Sequence, residues 1–155
     1  MSLGLVESFN APLYLPAYTI HALSTNLARR LMARSSWDGT VIKATSFSVG
    51  TGGYDIPNYT NATLVNPDAL ALQAQVFLGP ITKLEWANPS CSSYYCQLGP
   101  LDANVLLGEI GIWSTIVSSP VSGETGTTFL SALAHFPLRA KNASMSLALR
   151  VLRQS

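Results

Sequence analysis

Residues 105–117, VLLGEIGIWSTIV, form the strongest apolar run in the chain. Their mix of isoleucine, valine, threonine and tryptophan suits a strand. The run is interrupted by Gly108, Glu109 and Gly111. Downstream, SSPVSGETGT (118–127) is dense in turn residues, and TTFLSALAHFPL (127–138) reads as the next strand. In SMSLALRVL (144–152), Met145, Leu147, Leu149 and Val151 alternate with Ser146, Ala148 and Arg150, so one apolar face and one mixed face are expected.

Upstream, TVIKATSFSVG (40–50) has strand chemistry and ends at glycine. TGGYDIPNYTN (51–61) then reads as a loop, marked by Gly52, Gly53, Asp55, Pro57 and Asn58. NPDALAL (66–72) carries a helix-start signal, with Asn66 as cap and Pro67 at the first helical position. QVFLGPITKLEWAN (75–88) reads as a strand bent at Gly79 and Pro80, and NPSCSSYYCQLGPLD (88–102) as a hairpin tip or contact loop. The clear helical pattern is ALSTNLARRLMAR (22–34), where Leu23, Leu27 and Leu31 recur at spacing four. Its arginines, Arg29, Arg30 and Arg34, are expected near the C-terminal end as a solvated face, with Ser35, Ser36, Asp38 and Gly39 ending the helix. Residues 1–20 hold Pro12 and Pro16 among apolar residues and predict an extended arm, with Leu13, Tyr14 and Leu15 as interface candidates. The expected architecture is therefore mainly β, a β-sandwich or an antiparallel-sheet α+β domain over 21–155, with one N-terminal helix and an arm over 1–20.

Composition narrows the function classes. Charged residues make up 11% of the 155 and hydrophobic ones 48%, against about 25% charge in an ordinary soluble domain. So few charges imply either a surface rich in Ser, Thr and Asn or one partly covered by neighbours, and both suit a subunit of an assembly. The net charge is +1 and the pI near 7.8, which makes no electrostatic case for nucleic acid. MSLGLVESFNAPLYLP has no basic leading segment and an early Glu7, unlike a signal peptide. No stretch of about 18 apolar residues occurs, so no membrane span is expected. Cys91 and Cys96 lack the further ligands of a zinc site. They read as reduced thiols, with a small bridge across the loop left open.

No catalytic motif is visible. His21 and His135 stand outside any motif, no G-x-S-x-G elbow occurs, and VGTGGY (49–54) lacks the lysine and spacing of a phosphate loop. Gly50, Gly52 and Gly53 instead read as a strand end running into a glycine turn. Most carboxylates sit in turns. Glu109, beside Gly108 in the apolar run, is the exception: it is expected to be buried and to need an arginine, such as Arg139 or Arg150, or a set of backbone amides. A hydrolase built on Glu109 and His135 is the least favoured reading. Neither cofactor nor metal is expected. Tyr94 and Tyr95 are contact candidates, and with Trp86 they define the alternative of a carbohydrate-binding module.

The order of motifs adds a resemblance. FSVGTGGYDIP (47–57), TLVNPDAL (63–70), GEIGIW (108–113) and GTTFLSALAHFPLRAKNASMSLALRV (126–151) succeed one another in a way that resembles the N-terminal domain of phage tail-collar fibre and related tail-fibre or baseplate proteins. The family's acidic "L.NE" element is here Leu64-Val65-Asn66-Pro67, and the stretch Asn88–Leu101 is longer than in that pattern. The resemblance implies a virion structural protein assembled in the host cytoplasm. It would be an adaptor at the tail, baseplate or fibre attachment, forming a homo-oligomeric trimer or ring with other tail proteins as partners. A capsid cement or decoration protein is the alternative within the same class.

Overall fold

The computed structural model describes residues 18–54, 63–88, 91–144 and 146–154. Leu13, Tyr14 and Leu15, the loop residues Asp55 to Asn58, and Met145 lie outside them. The described chain is mainly β, with one helix. Its elements are β1 (Tyr18–Ser24), α1 (Asn26–Asp38), β2 (Val41–Gly50), β3 (Gln75–Pro80), β4 (Lys83–Asn88), β5 (Cys91–Leu98), β6 (Leu106–Ser118), β7 (Thr128–Ala140) and β8 (Leu147–Gln154).

The strands form one eight-stranded sheet in the order β3-β2-β6-β7-β1-β8-β5-β4. The first strand lies in the middle. Tyr18–Ala22 pair with β8, while Leu23 and Ser24 pair with β7, so β1 passes from one half of the sheet to the other. The β1–β8 pair is parallel and the other pairs are antiparallel. The two edge strands, β3 and β4, are consecutive in the chain, with only Ile81 and Thr82 between them. The Ile81 amide donates to Thr45 on the β2 side, and the Thr82 amide donates to Tyr95 on the β5 side. Two adjacent residues thus bond to opposite ends of the sheet, which has to curl to bring those ends together.

Alternation decides what the curl encloses. Phe47, Val49, Ile110, Ile112, Leu149 and Val151 are at most 1% exposed and share one core with Tyr94, Cys96 and Leu98. Each large apolar side chain so buried stabilises the fold by about 1.5–3 kcal/mol. A second cluster joins Ala28 and Leu31 of α1 to Ile116 and Phe129, and a third sets Leu72 on Leu130 and Leu133.

Several sequence expectations shift. Residues 22–24 are strand, because Leu23 and Ser24 pair with Leu133 and Ala132; β1 also takes Tyr18–Ile20 from the span assigned to the arm. The helix starts only after Thr25, whose hydroxyl accepts from the Ala28 amide at 3.1 Å. It runs through Ser35 and Ser36 to Asp38 and stops at Gly39, at φ 79°. No basic residue therefore falls in its last turn, and Arg29, Arg30 and Arg34 do not cap its dipole. Arg34 instead pairs with Glu124, and its Nε lies 3.0 Å from Asp38. NPDALAL is a turn rather than a helix: the Asn66 side chain accepts from the Asp68 amide at 3.0 Å, two residues on, a local bond that competes with helix formation. QVFLGPITKLEWAN is two strands, β3 and β4. The cysteine segment begins at the β4–β5 hairpin, where Asn88 pairs with Cys91, and continues as strand over Cys91–Leu98 rather than as a contact loop. Cys91 and Cys96 are five residues apart on it, so they face opposite sides about 16 Å apart along the strand. Both thiols are free, and burial pushes that of Cys96 up to about 12.

Candidate functional site

Glu109 lies on β6 after the irregularity that separates it from Leu107. That shift turns it to the outer face, yet it is 0% exposed. The turn 51–54 and the segment 63–74 cover it. Oε1 accepts from the Gln73 amide at 2.9 Å; Oε2 accepts from Ala74 at 2.8 Å and Gly52 at 3.0 Å. Backbone amides, the second option read from the sequence, hold this charge. Arg150 is engaged elsewhere, donating from Nε to Ser93 Oγ at 3.0 Å.

The glycines make that approach feasible. A Cβ on Gly52 would stand 2.5 Å from Glu109 Oε2, and one on Gly50 would meet the same oxygen. Gly53 sits at φ 93°, where side chains are strained. Gly108 passes beneath Gly52 and Tyr54. Around this centre the Gly53 amide donates to Gln73 Oε1 at 3.0 Å, and the Thr63 amide donates to Gly53 O at 2.8 Å. The Tyr54 hydroxyl donates to Phe136 O and accepts from the Leu138 amide, both at 2.8 Å. Gln73, Ala74, Thr63 and Tyr54 have no signal of their own in the sequence; only the fold brings them here.

His135 is the cross-strand neighbour of Glu109, so the structure does bring together the pair that a hydrolase reading would use. The carboxylate is spent on three amides, and His135 Nδ1 is 2.7 Å from the Thr63 carbonyl, which it meets as donor. Each group fastens a different loop end to the sheet. Among the described residues no three His, Cys, Asp or Glu side chains gather as metal ligands.

Tyr94 is 6% exposed and belongs to the core, which corrects its reading as a surface contact residue. Tyr95 faces the other way, with its hydroxyl donating to Glu85 at 3.2 Å and with Lys83 and Arg150 over its ring. Lys83, followed by the Tyr95 hydroxyl, holds the Glu85 carboxyl below its ordinary range. A two-tyrosine sugar platform is therefore not presented.

Apolar side chains are exposed in quantity. Trp37 is 85% exposed, and Val41, Val117 and Val121 are each more than 40% exposed. They come from the end of α1, the start of β2, the end of β6 and the β6–β7 connection. Arg34, Asp38 and Glu124 tie these segments together. The Thr40 hydroxyl, with help from Arg34, lowers the Asp38 pKa; Arg34, with help from Ser119, lowers that of Glu124.

The chain matches no family model, and comparison with curated proteins finds no match.

Proposed function

We propose that the chain is a structural subunit of a bacteriophage particle, an adaptor at the tail, baseplate or fibre attachment, that acts by assembly and not by catalysis. The observation that carries this reading is the exposed group of Trp37, Val41, Val117 and Val121 on a chain with 11% charged residues. Exposed apolar residues carried by segments that Arg34, Asp38 and Glu124 tie together mark a surface that another protein covers. The motif order from VGTGGY through GEIGIW to the last strand supports the tail and baseplate over other particle sites. Glu109 and His135 both serve to hold loops, which further favours assembly over a reaction.

The test is the mass of the purified full chain by sedimentation. We expect a trimer or ring that Trp37→Ser together with Val117→Ser reduces to monomer without altering the circular dichroism of the sheet. A wild-type chain that stays monomeric at several hundred micromolar would sink the self-assembly part. A chain lacking residues 1–17, which leaves β1 whole, that assembles as well as the full one would remove the arm from the interface. Electron cryo-microscopy of particles carrying the chain then decides between tail and capsid.

A further inference from the structure

Arg153 continues the inward alternation of Leu147, Leu149 and Val151 at the end of β8, and it is only 8% exposed. Nε donates to Ser24 Oγ at 2.8 Å. The two terminal nitrogens are poorly served: one is 3.4 Å from Ser131 Oγ, the other 3.7 Å from the thioether of Met32. Ser131 is already engaged, donating to Ile112 O and accepting from Ser114. Among the described residues no carboxylate lies within ion-pair distance of Arg153. A buried cation with only neutral acceptors is costly, by several kcal/mol unless a counter-charge reaches it.

A cavity of about 180 Å³ adjoins this guanidinium, lined by α1 and by strands β2, β5, β6, β7 and β8. That is far above the roughly 10–15 Å³ that admits one water. Ser92, directly opposite Arg153 on β5, and Tyr94 line it with Arg153, Ser131 and Met32. Among the described residues the hydroxyls of Ser92 and Tyr94 have no hydrogen-bond partner, so the wall carries two spare donors beside an unfilled guanidinium edge. The rest of the lining is largely apolar, with Phe129 and Ile42 prominent.

We infer that this cavity is a carboxylate-binding site, taking a monocarboxylate with a short aliphatic body. The two terminal nitrogens of Arg153 would receive the carboxylate side by side, and Tyr94 and Ser92 would donate to its remaining lone pairs. A planar guanidinium edge matches a carboxylate's two oxygens. The single positive charge matches one negative charge, which disfavours a phosphate dianion. The carboxylate has two sources, a free small acid or the acidic side chain of a neighbouring subunit, and both present the same group.

The probe is sodium butyrate against sodium chloride at equal ionic strength, on the full chain. Butyrate at tens of millimolar should raise the melting temperature by roughly 3–6 °C and move the Arg153 Nε–H resonance; Arg153→Met should lose both responses. If the natural occupant is free, the sedimenting mass stays the same in butyrate and in Arg153→Met. If it is a neighbour's side chain, Arg153→Met lowers the mass. Should Arg153→Met fail to fold, Arg153→Lys keeps the charge without the planar edge and should show a weakened response. The inference is overturned if butyrate leaves the wild-type melting temperature and resonance as they are in chloride while Arg153→Met, or Arg153→Lys in its place, keeps the wild-type mass.

Discussion

Two buried charges, Glu109 and Arg153, sit on opposite faces of the same sheet and are treated differently. Glu109 is closed in by three amides at 2.8–3.0 Å, all from covering segments. Arg153 has one good bond, to Ser24, two poor contacts, and space beside it. The difference teaches what burial means in each place. A charge whose hydrogen-bonding capacity is filled by its own backbone is part of the scaffold. A charge left with neutral partners beside a cavity is arranged for something that arrives later.

The largest break in this contrast should come from Glu109→Ala. Three buried amides would lose their acceptor at once, and the expected loss is about 3–5 kcal/mol, read from urea unfolding followed by tryptophan fluorescence. Arg153→Met, in contrast, should cost less than about 1 kcal/mol or even stabilise the carboxylate-free chain, since it removes an uncompensated charge and keeps the side chain's bulk. Equal losses at the two sites would collapse the distinction. Gly53→Ala should fall between, at roughly 1–2 kcal/mol, from the strain of φ 93° and the 2.8 Å approach of the new Cβ to the Gly108 carbonyl oxygen, with hydrogen exchange at Gly52, Gln73 and Ala74 accelerating more than in the core.

The smallest effect belongs to the half-exposed cluster of Arg34, Asp38 and Glu124, a third setting for charge. Asp38 and Glu124 have lowered pKa values in the fold. Their contribution is therefore complete above the unfolded-state values, near pH 4 (about 3.9–4.3), and is lost as pH falls through the lowered folded values. Melting temperatures between pH 7 and pH 3 should drop more for the wild type than for Glu124→Gln, by a small margin. A margin that appears above pH 6 would point to a different group.

How much of this was legible in the sequence follows from the range of the interactions. Alternation exposed the inner face of β8 at Leu147, Leu149 and Val151, because period two is a local property of the strand. The same count carried two residues further places Arg153 inside, a signal that the charge of the residue obscures. Glu109 was visible as a carboxylate in an apolar run, but its partners Gln73 and Ala74 come from a segment with no marker, so amides could be named beside an arginine as its partners but not located. Tyr94 was misplaced because the turn-forming Asn, Pro, Ser and Gly around it outweighed a strand of alternating burial. The helix was read four residues early because Leu23 keeps helical spacing by chance while its backbone belongs to β1. Its end was also read early: Ser35 and Ser36 look like breakers, yet the Ser36 hydroxyl donates back to the Ala33 carbonyl and the Ser35 hydroxyl forward to the Thr40 carbonyl, and the helix continues to Asp38.

The position of β1 between β7 and β8 has a consequence for how the chain is made. The first strand of the sheet finds its partners only after more than a hundred further residues have been synthesised. At about 5–20 residues per second, that wait is on the order of ten seconds. Until then Ile20 and its neighbours have no sheet to join. Pairings of such long sequence separation also form slowly, in roughly milliseconds to seconds once the chain is free. Folding of this subunit is thus tied to completion of β8, and a ribosome that stalls before residue 147 leaves a chain whose middle strand has nothing to pair with on one side.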